Sequence, residues 1–298
     1  MLLMPMNGVK ILKPLSPWIT IPVIVVVAAI LIWREKQRPL RKNTEPNSTR
    51  QPRNIAVAGF AAVAAIAVET PLVQPLTFLV ERVGLGLLGI FRLPLWGEVA
   101  ASLVLMDYTF YVWHVLMHRV PFLWRFHAVH HLDLDMDAST AFRFHFGEIL
   151  LSIPWRATQV LAIGMTPFTF SIWQLAFSLC VLFHHSNVEL PYNMERLINR
   201  ILVTPRMHGI HHSVIQRENN SNWSSGLTLW DWLHGTLRLN VYQRSITIGV
   251  PALHTPDDVT IGKLLAMPFR RQPRYWPISE PDGSPGPHEI GNPTQMLP

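Results

Sequence analysis

The chain has 298 residues, of which 49% are hydrophobic and only 15% charged, and it carries a formal net charge of +6. That is more apolar side chain than one soluble core of this length needs, so a membrane protein is the default reading. The basic residues stand beside hydrophobic runs and do not alternate with aromatics on a polar surface, which argues against a nucleic-acid partner and for orientation in a bilayer. The single cysteine, Cys180, excludes an intrachain disulfide framework, a zinc finger and a cysteine-ligated iron–sulfur cluster. It reads as a small buried hydrophobe.

The first apolar run, WITIPVIVVVAAILIW from Trp18 to Trp33, is followed at once by REKQRPLRK, the order expected of a retained span rather than a cleaved signal peptide. Residues 34 to 53 then read as a basic cytoplasmic linker, and 1–53 as an anchor plus linker. Asn54 to about Val80 is a second span, interrupted by ETPLVQP, and Gly97 to Met117 is a third. Glu148 to Met165 and Thr166 to Phe183 follow as a tight hairpin around Gly164 to Pro167, its first arm carrying Arg156 and Gln159 as a shallow dip would. With the linker in the cytoplasm, each crossing count returns the histidine-rich stretches to that same face. GLGLLG, Gly84 to Gly89, imitates a dinucleotide-binding fingerprint, but no strand precedes it and Pro94 interrupts the helix that should follow, so it reads as a turn between spans. The density of Pro, Gly and Ser makes 246–298 a polar, poorly ordered tail.

Histidine carries the chemical signal. His114 and His118 stand four apart, which stacks both on one helix face; His127, His130 and His131 in HAVHH, and His208, His211 and His212 in HGIHH, repeat the device at i, i+3 and i+4. At this chain's histidine frequency such a triplet arises about one time in ten thousand per starting site, so two copies and a pair are not accidental. Eight neutral imidazoles exceed what one tetrahedral zinc takes and suit two metals with open positions. A zincin would need glutamate where Val115 stands, a ferritin-type site would need Glu-x-x-His motifs, and a haem would use only two histidines. Imidazole-rich iron is left standing.

These motifs, H-x3-H, H-x2-HH and a later H-x2-HH, together with LWRFHAVHH, FHHSNVELP, TPRMHGIHHS and LWDWLHGT, resemble the fatty acid hydroxylase or sterol desaturase superfamily of membrane di-iron oxygenases, bacterial members especially. The resemblance runs from about Asp107 to Thr236. It implies metal-ligand roles for His114, His118, His127, His130, His131, His208, His211 and His212, and a further ligand in the HHSN segment, His185 in preference to His184. His145 is left open between a ligand and an outer hydrogen-bonding group, and Asn222 and Asp231 match the family, Asp231 more as an anchor than as a ligand. The chain departs from the family at Phe146, Trp223, Ser224 and His234. His234, His254 and His288 have no partner at ligand spacing and read as ordinary histidines.

The expectation is an all-α integral membrane bundle, catalytic over 54–245, whose helices hold a histidine-rich di-metal cap at the cytoplasmic edge of what is expected to be a bacterial inner membrane. The resemblance implies two irons that activate O2 and attack an unactivated C–H bond of a fatty acyl, sterol, carotenoid or ether lipid, giving a hydroxyl or a double bond. With no cofactor domain in the chain, electrons come from a separate donor protein. Tyr108, Tyr111, Trp113, Phe122 and Trp124 flank the first histidines as candidate walls for lateral access. Two other readings stand beside this one: a di-zinc membrane hydrolase with Glu148 or Glu218 as acid or base, and a metal transporter or sensor, which would need ionisable groups in mid-span.

Overall fold

The structure is a computed structural model that describes residues 12–91 and 93–276. His288 and the rest of 277–298 lie outside the described residues. Every regular element among those described is helical. Helix α1 (Pro17–Gln37) starts on Ser16, which caps the Trp18 amide, with Pro17 in the first turn. Its long side chains point outward: Trp18 is 89% exposed, and Ile21, Val25 and Ile30 are exposed with it, as a lipid-facing helix requires. The start of α1 is tied to the start of α8 (Pro167–His185) by the Leu15 amide on Ser171 Oγ at 2.8 Å. Its end is tied to the segment after α8 by the Leu40 amide on the Asn187 carbonyl. The two helices therefore run side by side in the same direction.

Helix α2 (Asn47–Ala64) continues through one π-helical turn, Ala65–Glu69, into α3 (Thr70–Val83), so the second expected span is one long bent helix. Gly84 closes it in the left-handed conformation, and Gly86, also at positive φ, lies so close to Gly164 that a Cβ there would meet the Gly164 backbone. The Gly84–Gly89 stretch is thus a helix stop and the short α4 (Leu87–Phe91), packed against the turn between α7 (Phe146–Ile163) and α8. Helix α5 (Leu95–Arg119) returns, and α6 (Pro121–His131) follows it after Val120.

Four helical stretches are long and apolar enough to cross a membrane: Pro17–Gln37, Asn47–Phe91, Leu95–Arg119 and Pro167–His185. Helix α7 is not one of them, in keeping with its polar content; between caps at His145 and Gly164 it packs chiefly on α2, α3 and α5. Its polar side chains face its neighbours. Arg156 pairs with Glu69 of the π turn at 3.6 Å and lies over the Trp173 ring at 4.4 Å, while Gln159 donates to Thr109 at 2.6 Å. Polar groups in such a bundle are retained by partners of this kind.

Beyond α8 the chain forms a cap of short helices: α9 (Tyr192–Asn199), α10 (Pro205–His211), α11 (Gln216–Asn219), α12 (Leu229–Leu233) and α13 (Ile261–Ala266). Two stretches differ from the sequence reading. Residues 246–276 are not a loose tail, because Val250, Val259, Leu264, Met267 and Tyr275 are buried in one cluster with Trp124, Val129 and Leu132 of the α6 region. The end of the expected linker, residues 45–53, is not a solvated linker either, and most of it belongs to α2. Arg50 pairs with Asp133 at 2.9 Å and with Asp137, and Arg53 makes a two-bond pair with Glu45 at 2.8 and 2.6 Å. Asn54 and Thr140 add bonds to Asp133, each at 2.7 Å.

This charged knot fastens α2 to the residues that follow His131. Deleting one partner of a fully buried ion pair costs roughly 3–5 kcal/mol, because the other charge is left without compensation. Arg50→Ala is therefore expected to lower the melting temperature of the detergent-solubilised protein by many degrees, whereas Lys42→Ala, at an exposed position, should leave it unchanged. Equal melting curves for the two would refute the structural role of the knot.

Candidate metal centre

Four elements deliver histidines to one end of the bundle. His114 and His118 occupy the last turns of α5, His127, His130 and His131 the last turns of α6, and His184 and His185 the end of α8. His208 and His211 sit on α10, with His212 as its C-cap. Thr204 caps α10 and Pro205 starts it; on its outer side Gly209 leaves room for the buried Arg41 guanidinium, which a Cβ would strike.

The side chains sort into two groups. In each, one ring nitrogen per residue lies within 4.8 Å of the others: His114, His118, His127, His131 and His211 form the first group, His130, His185, His208 and His212 the second. Helical period explains the division. Residues four apart point within about 40° of each other, and a residue three along points to the other side of the pair. On α6, His127 and His131 therefore join one group and His130 the other; on α10, His208 and His212 join the second group and His211 the first. The groups touch, with the His131 and His212 rings stacked at 4.3 Å.

Metal competence follows from the nitrogens. In the first group, Nε2 of all five histidines is buried with no hydrogen-bond partner among the described residues. In the second, Nε2 of His185 lies 3.0 Å from Nε2 of both His130 and His208, and Nε2 of His212 lies 3.1 Å from that of His208. Nitrogens at right angles on a common ion, each about 2.1 Å from it, stand about 3 Å apart, so these spacings suit a shared cation. Burial first, then neighbouring histidines, pushes the pKa of His130, His131, His208 and His212 well below the ordinary value, and that of His211 to about 3, burial again leading. The rings are neutral, as metal ligands must be.

Several of the opposite ring nitrogens are held by backbone carbonyls or a carboxylate, whereas Nδ1 of His130, His208 and His212 has no hydrogen-bond partner among the described residues. Nδ1 of His114 faces the Trp223 carbonyl at 2.7 Å, that of His211 the Ser221 carbonyl at 2.8 Å, that of His184 the Ser225 carbonyl at 2.9 Å and that of His185 the Val181 carbonyl at 2.8 Å. Nδ1 of His127 meets Glu148 at 3.1 Å. Bonds of this kind select the tautomer that leaves Nε2 free.

One loop thus orients three rings, and the expected outer residues hold that loop. Asn222 adopts a φ of 54°, and its side chain bonds the Met207 carbonyl and both the carbonyl and the amide of Arg238. Asp231 accepts from the Trp223 and Ser224 amides and the Thr236 hydroxyl. Neither belongs to a nitrogen group. His184 also stands outside them, its ring 4.1 Å from His208. His145 caps α7, where its Nδ1 accepts from the Gly147 amide and its Nε2 faces the Leu265 carbonyl at 3.1 Å.

Sequence reading missed Ser221, Trp223 and Val181, which act through backbone carbonyls that leave no mark on residue type. It also missed Glu148 as a partner of His127, and the knot of acids, for which LDLDMD directly after HAVHH was an available signal. Between the groups lies a cavity of about 20 Å³, touched by rings from both and closed by Phe110, Met117, Phe144, Phe177 and Val181. That is space for about one water-sized molecule. The aromatics expected at this wall are engaged elsewhere: Tyr108 and Tyr111 stack with His234, Trp113 with Trp155, Trp124 packs on Tyr275 and Trp276, and Phe122 is exposed.

Membrane-length helices thus converge on two buried groups of imidazoles whose arrangement could hold metal ions. Residues 99–236, which hold every histidine of both groups, match the fatty acid hydroxylase family profile. Its relatives include ornithine lipid hydroxylase OlsE of Rhizobium tropici, 32% identical over 61% of this chain and 53% of that protein. A cholesterol 25-hydroxylase-like protein of Danio rerio is 30% identical over 55% of this chain and 62% of that one. Human alkylglycerol monooxygenase is 31% identical over 44% of this chain and 28% of that one. The chain thus spans at most about three fifths of these relatives' length. No solved structure matches it.

The depressed histidine pKa values have a consequence for pH. Unfolded imidazoles take up protons below about pH 6.5 and the folded ones do not, so the unfolded state binds more protons and stability falls with pH in that range. Chelator-treated protein should show a stability plateau above about pH 6.5 and a decline toward the His211 value of about 3, and His211→Gln should make the decline shallower. A flat profile from pH 7 to pH 4 would contradict the neutral cage.

Proposed function

We propose that the chain is a membrane-bound di-iron oxygenase, an oxidoreductase that hydroxylates or desaturates a lipid C–H bond with O2 and electrons from a separate donor protein. The observation that carries this reading is the division of the candidate ligands, His114, His118, His127, His131 and His211 against His130, His185, His208 and His212, into two adjacent groups with free ring nitrogens. All-nitrogen sites of this kind suit iron. Names of the relatives, lipid hydroxylases and a monooxygenase, support the reaction class and a lipid substrate. Bound there, the two irons supply the activation of dioxygen.

The chain's own residues set the conditions for it. Buried rings hold Nε2 toward the metals while the Ser221, Trp223 and Val181 carbonyls and Glu148 keep the Nδ1 protons on the far side. Phe110, Phe144 and Phe177 keep bulk water from the space where a C–H bond is attacked. For hydroxylation, RH + O2 + 2 e⁻ + 2 H⁺ gives ROH + H2O, with both electrons from the donor protein. His145, Asn222 and Asp231 serve in this reading as positioning residues, and His184 as a neighbour of the second group. Glu148, the acid or base of a hydrolase reading, is engaged with His127.

The histidine end is proposed to face the cytoplasm of a bacterial inner membrane, because the exposed Arg34, Lys36, Arg38 and Lys42 lie at that end and such residues resist translocation. A membrane-impermeant maleimide should fail to label Lys42→Cys and Arg271→Cys in intact cells and label both after lysis. Labelling of either in intact cells would reverse the orientation.

Metal content tests the centre. Purified protein is expected to hold about two irons per chain, with His211→Ala and His130→Ala each reduced toward about one. His145→Ala should keep both metals while losing about ten- to a hundredfold in turnover. Lipid extracts from cells expressing the wild type should contain a species heavier by one oxygen, or lighter by two hydrogens, that is missing with His130→Ala. Full metal and full turnover in His130→Ala and His211→Ala would sink the proposal.

A further inference from the structure

The cavity between the histidine groups has one apolar wall, and that wall is built from two membrane helices. On α5, Phe110, His114 and Met117 fall on one face at i, i+4 and i+7; on α8, Phe177, Val181 and His184 do the same. The two stripes face each other and run from the cavity toward the middle of the bundle. They end on Phe110 and Phe177, whose rings meet at 4.4 Å with their planes 60° apart. Both rings are only half-buried, so each touches the cavity on one side and reaches the lipid-facing surface on the other. Phe144 closes the cavity above, with its ring stacked on His130 at 4.8 Å. Apart from the histidines and Ser225, the residues lining the cavity are apolar, so an apolar guest at the two phenyl rings meets hydrocarbon.

From this geometry we infer that Phe110 and Phe177 are the door through which substrate reaches the metal centre from the bilayer, and that the door passes one unbranched acyl chain and excludes a fused-ring sterol. This inference rests on the oxygenase reading and narrows its substrate class. The two rings are in contact, and the cavity behind them, about 20 Å³, is too small for a substrate chain. Access therefore requires one phenyl ring to swing aside. The slot it vacates is about 3.5 Å thick, one layer of carbon atoms in van der Waals contact. A polymethylene chain threads such a slot one methylene at a time. A sterol carries four fused rings with angular methyl groups on one face, and would need both phenyl rings and the α5–α8 spacing to give way together. Exchange of phenyl for methyl at either position removes the obstruction, and exchange for indole enlarges it.

Photolabelling reads the door without turnover. Purified protein in phosphatidylcholine nanodiscs is irradiated with either a fatty acid carrying a mid-chain diazirine or a sterol carrying a diazirine, and the labelled residues are mapped by mass spectrometry, with iron measured on every variant. In the wild type the acyl probe is expected to label Met117, Phe144 or Val181 and the sterol probe to label none of them. Phe177→Trp should cut acyl labelling there by at least about tenfold, and Phe110→Ala and Phe177→Ala should each raise sterol labelling at the same residues by a similar factor, with iron unchanged. Sterol labelling of the cavity in the wild type, or acyl labelling unchanged in Phe177→Trp, overturns the inference. The Ala variants gain a signal, so a failure of Phe177→Trp to fold does not leave the question open. Labelling as expected with no oxidised lipid in any extract would refute the oxygenase reading and keep the door; lipid oxidation with labelling indifferent to both residues would do the reverse.

Discussion

Nine imidazoles with ring nitrogens turned toward one another are unfavourable to bury unless every lost hydrogen bond to water is replaced. The outward nitrogens of His114, His127, His185 and His211 find protein acceptors, and the inward ones are either unpartnered or set against one another, as proposed cations would require. This requirement reaches into almost every other part of the structure. The loop from Ser221 to Ser225 must present three carbonyls at fixed positions, which is why Asn222 takes a left-handed conformation and why Asp231 is spent on backbone amides. Asp107 of α5 supports the same loop further on, taking the Leu227 amide and the Trp230 indole N–H.

A cage of this kind also has to be rigid on the side away from the membrane. The knot of Arg50, Arg53, Glu45, Asp133 and Asp137 places its charges where each has a partner, and joins the start of α2 to the residues after His131. Net stabilisation by such a buried knot is modest, since desolvation offsets attraction; its effect is to make misplacement of α2 costly. The segment 246–276 covers the outer face of α6 with apolar side chains, so α6 is held by charge at its end and by burial along its back.

The membrane side is organised by the opposite chemistry. Outward faces of α1, α3 and α5 are apolar and exposed, while the Glu69–Arg156 pair and the Gln159–Thr109 bond keep polar groups turned inward. Apolar wall and imidazole cage meet at the small cavity, which in the proposed reading is where a C–H bond would approach the metals without water between them. The family match begins in α5 and ends at Thr236, so the cage and its loop lie within it and the knot's arginines and the 246–276 cover lie outside. These outer parts belong to the particular architecture of this chain rather than to the matched region.

Sequence alone picked out the helical class, most of the apolar spans and the eight motif histidines, because both signals are local; His185 entered through the family resemblance. Apolar length is read residue by residue, and helical period decides which histidines share a face. The same locality explains the misreadings. Arg50 and Arg53 look like solvated linker until Asp133 and Asp137, some eighty residues later in the chain, are brought against them. Residues 246–276 look loose because their few apolar side chains find a core only on α6. His145, left open by the sequence between a ligand and an outer hydrogen-bonding group, stands as the cap of α7, a role set by the chain direction there. Tertiary structure alone decided which faces of HAVHH and HGIHH meet to make two shared groups, which carbonyls hold the rings, and that Phe110 and Phe177 rather than the nearer aromatics wall the cavity. Each of these is a contact between distant segments, and its energy comes from packing and charge compensation that no stretch of sequence contains by itself.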